Sequence, residues 1–598
     1  MGLIHPLTSG GISPTPPDWS GRSPSTLVPV EPQPMTDWFQ PAQLVATAGQ
    51  VVVSTVLGAQ ADHRALEALQ TGGSPSSGAF DFSDRKTITL DYVADTGDGW
   101  DSTYTLAYHL AQPSLAPAGG GSLPRGEVLV FGGDEVYPTP GRAAYERKLV
   151  APYETAMALS PDPDHTPEVF AIPGNHDWYD SLVTFTRLFL AKDWFAGWRT
   201  RQTRSYFALK LPQGWWLMGV DVQLASDLDP DQVAYFEAIA KDIPRGDRII
   251  LCLPEPHWIY QQERDTGRWD RADWERPGAL GPDGQPAIRT NLEYLECHLF
   301  KGQVQVMLAG DLHHYRRHAA PDGRQKIVAG GGGAFMHLSH PWSEAPLADG
   351  ATLQRVWPEP AVSRRLAWQN LGFPLLHKPL GWLIGLAYLL VGWNLQADLS
   401  PYGLCQFGGA LGTALLDTIR RPGGAFMVLG LLGAFVLFAP PTKRRFRIGA
   451  GFTHGLAHLG LCFLLGWGAT RLAVTVLGFP FQGFGQLLLG GLILFLGGWL
   501  AGTMLFGLYL AISINGFHQH WTEASSGLAI PDWKHFLRLC IAEDGSLTIH
   551  PIGFRRVPRR WKAGSADPTG PRLEPDDPAF TGPELIEPPI RVAGRGTP

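Results

Sequence analysis

An α/β sandwich flanked by helices and followed by an α-helical transmembrane bundle is the fold class this 598-residue sequence predicts. Three observations predict it. Short apolar runs between residues 81 and 370 each stop at Gly, Asp, Pro or His, as buried strands that feed functional loops do. Polar segments between several of these runs leave room for helices, the pattern of a mixed α/β domain. Beyond residue 378 the composition changes, and four apolar segments crowd into residues 379–514.

The bulk composition agrees. Charged residues make up only 17% of the chain and hydrophobic residues 44%, which indicates a part that avoids water. A net charge of -7 speaks against a general nucleic-acid binder. The cysteines Cys252, Cys297, Cys405, Cys462 and Cys540 are scattered without a C-x-x-C pair, which argues against a disulfide framework or a zinc ribbon.

Taken in order, residues 1–80 form a Pro/Ser-rich segment with one helix. It has no apolar core of a signal peptide. The helix is expected across Leu44–Val56, packed on the soluble domain, and a linker follows at residues 71–78. Residues 81–370 form the α/β domain. Its expected strands are Thr87–Val93, Val128–Phe131, Val169–Ile172, Trp215–Val220, Ile249–Leu253, Val304–Leu308 and Ile327–Val328. Residues 371–515 form a bundle of about four spans: Pro379–Leu395, Gly423–Phe438, Gly449–Trp467 and Phe484–Ile514. Trp382, Trp393, Trp467 and Trp499 suit a membrane interface. His454 and His458, one helical turn apart, suit helix–helix hydrogen bonding or a polar site. Residues 516–562 form a small β-containing segment, with a hairpin turning at Asp544-Gly545. The Pro-rich tail, residues 563–598, is expected to be disordered.

Basic clusters set the expected orientation. Arg364, Arg365 and Lys378, then Lys443, Arg444, Arg445 and Arg447, then Arg555, Arg556, Arg559, Arg560 and Lys562 fall on one side of four spans. Arg420 and Arg421 fall on the other. The expectation is a multi-pass protein of a bacterial-type inner membrane with its soluble parts in the cytoplasm.

The chemistry lies where the runs end. In order they deliver Asp95-Thr96-Gly97-Asp98, then Gly132-Gly133-Asp134-Glu135-Val136-Tyr137, then Gly174-Asn175-His176-Asp177, then His257, and last Gly310-Asp311-Leu312-His313-His314. Ends of neighbouring strands converge on one sheet edge, so these groups can meet in space. Carboxylate, amide oxygen and imidazole together suit Mn, Fe or Zn. Two such ions about 3.5–4 Å apart clamp a phosphoryl group and generate hydroxide at neutral pH.

This ordered series resembles the calcineurin-like metallophosphoesterases, whose blocks run D-x-H, G-D-x-x-[DY], G-N-H-[DE], a lone His and G-H-x-H. The whole layout is similar to a membrane-associated branch of that superfamily. The resemblance covers roughly residues 85–340. It implies hydrolysis of phosphate esters, mono- or diesters, at a site of two divalent ions, with Mn, Fe, Zn or Mg as candidates. It implies Asp134 as the carboxylate shared by both ions. Asn175 and His257 would serve the second ion, and Asp95 and His313 the first. His176 would be the acid beside the leaving group, with Asp177 to orient it. Tyr137 would stand behind the ligands, and His314 is an alternative to His313.

Two departures stand out. Asp311 replaces the first His of the last block, a change that favours harder ions. Gly97 replaces the His of the first block and offers no side chain, so Asp98 is the candidate substitute. The run Gly330–Gly333 allows either amide contacts to a phosphate or a close turn. The implied partners are a phosphorylated small molecule or lipid-linked phosphate and the lipid bilayer. The altered first block keeps a different function open: a catalytically weak metal- or nucleotide-binding domain that regulates the bundle.

Overall fold

The computed structural model describes residues 30–45, 78–160, 165–222, 227–265, 290–397, 406–440 and 444–594. Most of the expected Leu44–Val56 helix and the stretch 71–77 lie outside them.

Among the described residues two large sheets carry the α/β part. The first has the order Glu584–Leu585, Leu547–Phe554, Lys534–Ile541, Ile88–Val93, Val128–Phe131, Glu168–Ala171, Trp198–Thr200, Trp194–Phe195. Its middle strands Ile88–Val93, Val128–Phe131 and Glu168–Ala171 run parallel. The second has the order Phe80–Asp81, Phe207–Leu211, Trp215–Gly219, Arg248–Leu253, Val304–Ala309, Gln325–Ala329, Tyr315–Ala319, Thr352–Trp357. Here Trp215–Gly219, Arg248–Leu253, Val304–Ala309 and Gln325–Ala329 are parallel. In each sheet the parallel strands end at one edge, where their loops emerge.

Side-chain alternation explains the packing. Leu90, Tyr92, Val130, Phe170 and Ile172 of the first sheet share one buried cluster with Leu209, Leu217, Ile250, Val306 and Leu308 of the second. Val93, Leu129, Phe131, Val169 and Ala171 belong to another cluster, which includes Trp100, Tyr104 and Leu110 of helix Trp100–Ala111. With both faces covered, the parallel strands are apolar almost throughout, which is why they stand out as short continuous runs.

The C-terminal region corrects the expected domain limits. Residues 516–562 are not a separate segment. Strand Lys534–Ile541 pairs antiparallel with Ile88–Val93, setting Leu537 opposite Tyr92 and Leu539 opposite Leu90. It forms a hairpin with Leu547–Phe554. The tail is not disordered where it is described. Leu573–Pro575 pairs with Trp561–Ala563, and Glu584–Leu585 and Ile590–Val592 pair with Leu547–Phe554. A lone hairpin is marginal in water. Joining an existing sheet buries Leu537, Leu539, Ile541 and Ile549 in the core between the sheets. The join is sealed by a buried ion pair: Arg538 Nε lies 2.7 Å from Asp91 Oδ1, and Nη2 lies 2.9 Å from Oδ2.

The bundle also departs from four equal spans. By length and composition, Arg444–Val476 and Phe484–Phe517 are long and apolar enough to cross a membrane. The number rises to at most four if each bent pair counts as one span: Pro360–Leu376 with Lys378–Asn394, bent 70°, and Phe407–Arg420 with Pro422–Phe438, bent 99°. Phe484–Phe517 is one helix with a wider turn at Gly498–Gly502. Large apolar side chains such as Trp382, Phe426, Leu437 and Leu488 are exposed along these helices. Between them, Tyr388 Oη lies 2.9 Å from His458 Nδ1, and the Nε2 atoms of His454 and His458 are 3.1 Å apart.

Two outcomes follow from this packing. Arg538→Ala leaves Asp91 as an unpaired buried charge and is expected to lower stability by about 3–5 kcal/mol in a denaturant melt. His109 is buried and its Nδ1–H donates to the Thr105 carbonyl at 2.7 Å. Burial holds its imidazole down to about 4, below the ordinary 6.5. Its contribution is therefore complete above pH 6.5 and lost as pH falls toward 4. His109→Phe should remove about 3 kcal/mol of that acid-dependent loss, read from melts between pH 7 and pH 4.

Candidate functional site

Three strand ends and one loop build the cluster. After Val93 the chain turns at Asp95, whose φ of 59° is left-handed. After Phe131 it turns at Asp134, with φ 53°. After Ala309 it turns at Asp311, with φ 65°. Such conformations are uncommon for non-glycine residues and gather at functional sites.

The four atoms that meet are well defined. Tyr137 Oη lies 2.6 Å from Asp95 Oδ1, 2.9 Å from Asp134 Oδ2 and 3.0 Å from His313 Nε2. His313 Nε2 is 3.4 Å from Asp95 Oδ1. His313 Nδ1 is 2.7 Å from the Phe335 carbonyl, which only accepts, so Nδ1 carries the proton. Burial, with Lys534 adding to it, lowers the His313 imidazole to about 4, so Nε2 presents a bare lone pair at neutral pH. One phenolic proton therefore faces three acceptors. Burial, with the neighbouring carboxylates Asp95, Asp177 and Asp311, raises Asp134 well above the usual carboxylate range. Burial raises Asp95 likewise, against the hydrogen bond from Tyr137 that lowers it.

Glycines make this crowding possible. A Cβ on Gly174 would lie 2.1 Å from Asp134 Oδ1, and one on Gly330 would lie 2.3 Å from Asp95 Oδ2. Gly97 is explained in the same way. A Cβ there would lie 2.3 Å from the Glu135 carbonyl, because Gly97 bridges to Val136 and its own carbonyl accepts from the Tyr137 N–H at 2.9 Å. No side chain fits at that position.

Asp98 does not replace the missing ligand. Its Oδ1 accepts from the Thr36 N–H at 2.9 Å and from the Thr36 hydroxyl at 2.6 Å, and Lys148 Nζ is 3.5 Å away. Asn175, His257 and Asp311 each contact other groups. The Asn175 amide donates to Tyr179 Oη at 3.4 Å. His257 Nε2 faces Glu296 Oε1 at 3.3 Å. Asp311 accepts from the Tyr260 hydroxyl, and its N–H donates to Asp95 Oδ2 at 2.9 Å.

His176 borders the cluster through its backbone, donating its N–H to Asp134 Oδ1 at 2.8 Å. Its ring is oriented by the Pro138 carbonyl, 2.7 Å from Nδ1, and not by Asp177. Asp177 Oδ2 instead accepts from the N–H groups of Gly174 and Glu135 at 2.9 and 3.2 Å, stapling the two loops together. Burial lowers the His176 imidazole to about 4. His313, not His314, reaches Tyr137; the His314 ring lies 6.5 Å from that of Trp342.

The structure changes the roles of Tyr137 and the glycine run and adds His337 and Lys534. Tyr137 lies at the centre of the cluster, not behind it. His337 stacks on His313 at 3.8 Å, and its Nδ1 accepts the His313 N–H at 3.1 Å. The glycine run lies between strand ends: the Gly332 N–H donates to the Ala94 carbonyl and the His535 N–H to the Gly331 carbonyl. It is a close turn whose amides at Gly332 and Ala334 are already used. Lys534, wholly buried, donates its ammonium to the Ala334 carbonyl.

Among the described residues, no three His, Cys, Asp or Glu side chains stand set for a metal ion. The atoms of the cluster touch one another instead. The donor set itself, two carboxylates, a phenol oxygen and a bare imidazole nitrogen, fits one divalent cation once those contacts open. Asn175, His257 and Asp311 are engaged with Tyr179, Glu296 and Tyr260 instead.

Comparison with known proteins adds little. No family model matches the chain, and no curated protein matches it. Among solved structures it is similar to GAP50, the anchor in the inner membrane complex of Plasmodium, at 12% identity and a TM-score of 0.28, over 42% of this chain and 74% of that one. It is similar to the purple acid phosphatase PPD1 from yellow lupin seeds at 13% identity and a TM-score of 0.27, over 45% and 47%. It is similar to PhoD at 9% identity and a TM-score of 0.25, over 44% and 59%. The chain thus spans about half the length of the lupin enzyme. At such TM-scores the reading of the site rests on its own residues.

Gly174→Ala drives a methyl into Asp134. It is expected to cost about 1–3 kcal/mol and to displace the Asp134 carboxylate from Tyr137, seen as a lowered melting point and an altered tyrosine absorbance.

Proposed function

We propose that this chain is a metal-dependent hydrolase of phosphate esters held at a membrane by its apolar helices. The observation that carries the reading is the meeting of Asp95, Asp134 and His313 on the Tyr137 hydroxyl. Two buried carboxylates so close cannot both stay charged without a compensating cation. The ordered motifs along the chain support the same chemistry.

Asp95, Asp134, Tyr137 and His313 would hold the cation. When bound, it supplies positive charge that neutralises phosphoryl oxygens as a phosphate ester is cleaved. A second cation requires His257 to leave Glu296 and Asp311 to leave Tyr260. His176 is fixed by Pro138 with Nδ1 protonated and Nε2 free of that bond. A bound phosphate dianion raises the imidazole's proton affinity, so His176 can take a proton and return it to the leaving oxygen. Trp38, Tyr137 and Tyr179 surround that ring and limit water around it.

The exposed apolar helices favour a substrate at or near a bilayer, either a lipid-linked phosphate or a phosphorylated small molecule. The three basic clusters favour a cytoplasmic orientation of the soluble region in this reading.

The test is hydrolysis of a chromogenic phosphomonoester and a chromogenic phosphodiester by the full-length protein in detergent, with Mn²⁺, Fe²⁺, Zn²⁺ or Mg²⁺. Asp134→Ala should abolish turnover. His176→Ala should lower kcat by about 10²–10⁴-fold with little change in metal affinity. Metal binding by the wild type without turnover of either ester would favour a regulatory domain instead.

A further inference from the structure

Residues 33–40 run along the edge of the candidate site and on to the apolar helices. At one end the Gln33 carbonyl accepts the Trp100 N–H at 2.8 Å. In the middle Asp98 Oδ1 accepts from Thr36, while Lys148 Nζ donates to Thr36 Oγ1 at 3.1 Å and to the Tyr137 carbonyl at 2.7 Å. The buried Asp98 of the altered first block therefore anchors this segment. At the other end Asp37 Oδ1 lies 2.8 Å from His377 Nδ1, and His377 Nε2 donates to the Gly527 carbonyl at 2.7 Å. Phe39 packs on Phe373 at 4.9 Å and on Phe506 at 6.0 Å.

Trp38 is held between these anchors. Its ring meets those of His176 and Phe335 edge-on, each at 5.9 Å. Its indole N–H has no hydrogen-bond partner among the described residues. Asp95, Asp134, Tyr137 and His313 are buried, whereas Trp38, His176 and Tyr179 are only partly so and form a rim. The rings of Trp38, Tyr137 and Tyr179 line the His176 ring, so its surroundings are aromatic. Trp38 also packs against the cluster of Phe373, Leu510 and Ile514 at the base of the apolar helices. His377, which Asp37 contacts, sits at a 70° bend between Pro360–Leu376 and Lys378–Asn394. Before that bend Trp368, Leu371, Leu375 and Leu376 are exposed, as on a helix that lies in a membrane surface.

We propose that the site takes the phosphate ester of an amphiphilic alcohol drawn from a bilayer, with Trp38 as the residue that selects it. The phosphate lies at His176, and the apolar chain of the alcohol passes over the indole toward the bend at His377. An aromatic wall favours an apolar leaving group, because it offers dispersion contacts and little to a charged or heavily hydroxylated one. The unpaired indole N–H leaves one donor for an ester oxygen. In the reaction a water oxygen bonds to phosphorus, the bond from phosphorus to the alcohol oxygen breaks, and His176 returns a proton to that oxygen. The substrate class rests on the phosphate-ester reading of the site; the seat for an apolar chain on Trp38 does not.

The experiment uses the full-length protein in lipid nanodiscs with Mn²⁺. Hydrogen exchange over residues 33–40 is measured with dodecylphosphonate, methylphosphonate or dodecanol, whose bonds the reaction does not cleave. Dodecylphosphonate should slow exchange there more than either fragment does. Equal protection by methylphosphonate or by dodecanol, or no protection, overturns the proposal. Hydrolysis of dodecyl phosphate and of glycerol phosphate is then compared. Trp38→Ala should lower kcat/KM for dodecyl phosphate about tenfold, through KM, and change that for glycerol phosphate less than about threefold. Trp38→Phe, which keeps an aromatic wall, should lose less than about threefold on either ester. Equal losses on both esters overturn the proposal. If Trp38→Ala fails to fold, Trp38→Gln takes its place with the same two outcomes. A wild type that hydrolyses neither ester with Mn²⁺, Fe²⁺, Zn²⁺ or Mg²⁺ defeats the proposed function instead, and the exchange measurement still decides whether an apolar chain sits on Trp38.

Discussion

The antiparallel pairing of Lys534–Ile541 with Ile88–Val93 is the contact on which the rest of the molecule depends. It joins a strand near the start of the α/β part to one beyond the long apolar helices. Both faces of that pair are committed. Leu537, Leu539 and Ile541 face the second sheet, while Arg538 reaches Asp91 on the other side. Buried ion pairs of this kind add specificity of register more reliably than net stability. Here the geometry fixes which strands are neighbours, and through them where the turn at Asp95 begins.

The candidate site is a consequence of close backbone approach. Gly97, Gly174 and Gly330 stand where any side chain would strike a carbonyl or a carboxylate. Because the loops touch, the carboxylates of Asp95 and Asp134 are brought to one phenol oxygen instead of being solvated separately. That arrangement concentrates lone pairs in a dry place, and burial accordingly pushes both carboxylates toward their protonated forms. Strained turns at Asp95, Asp134 and Asp311 are part of the same economy, in which local conformation is sacrificed to position chemistry.

The apolar helices are not a separate unit. Leu510 and Ile514 of the last long helix pack with Met336, Leu338 and Phe373 in one buried cluster. The Met336 N–H donates to the Ile530 carbonyl at 2.9 Å, and the Leu338 N–H to Ser525 Oγ at 3.0 Å. Trp521 meets His337 edge-on at 5.0 Å, and His337 stacks on His313. The base of the bundle is thus built into the segment that follows the glycine run.

The sequence by itself determined the local features. Buried parallel strands announce themselves as apolar runs, so Val128–Phe131 and Val304–Leu308 were legible with their polar ends, and so were the apolar helices. Antiparallel strands with mixed faces, Phe207–Leu211 and Tyr315–Ala319, carry no such signal and were passed over. The blocks around Asp95, Asp134 and His313 named residues that do meet. Tertiary structure decided the rest: that Tyr137 is central, that Asp98 turns to Thr36, that Asn175, His257 and Asp311 keep other partners, and that the C-terminal hairpin completes a sheet begun at Ile88. Each of these depends on contacts between segments far apart in the chain. Composition and spacing describe what a segment can do alone, whereas a side chain's partner is set by which distant backbone the core brings beside it.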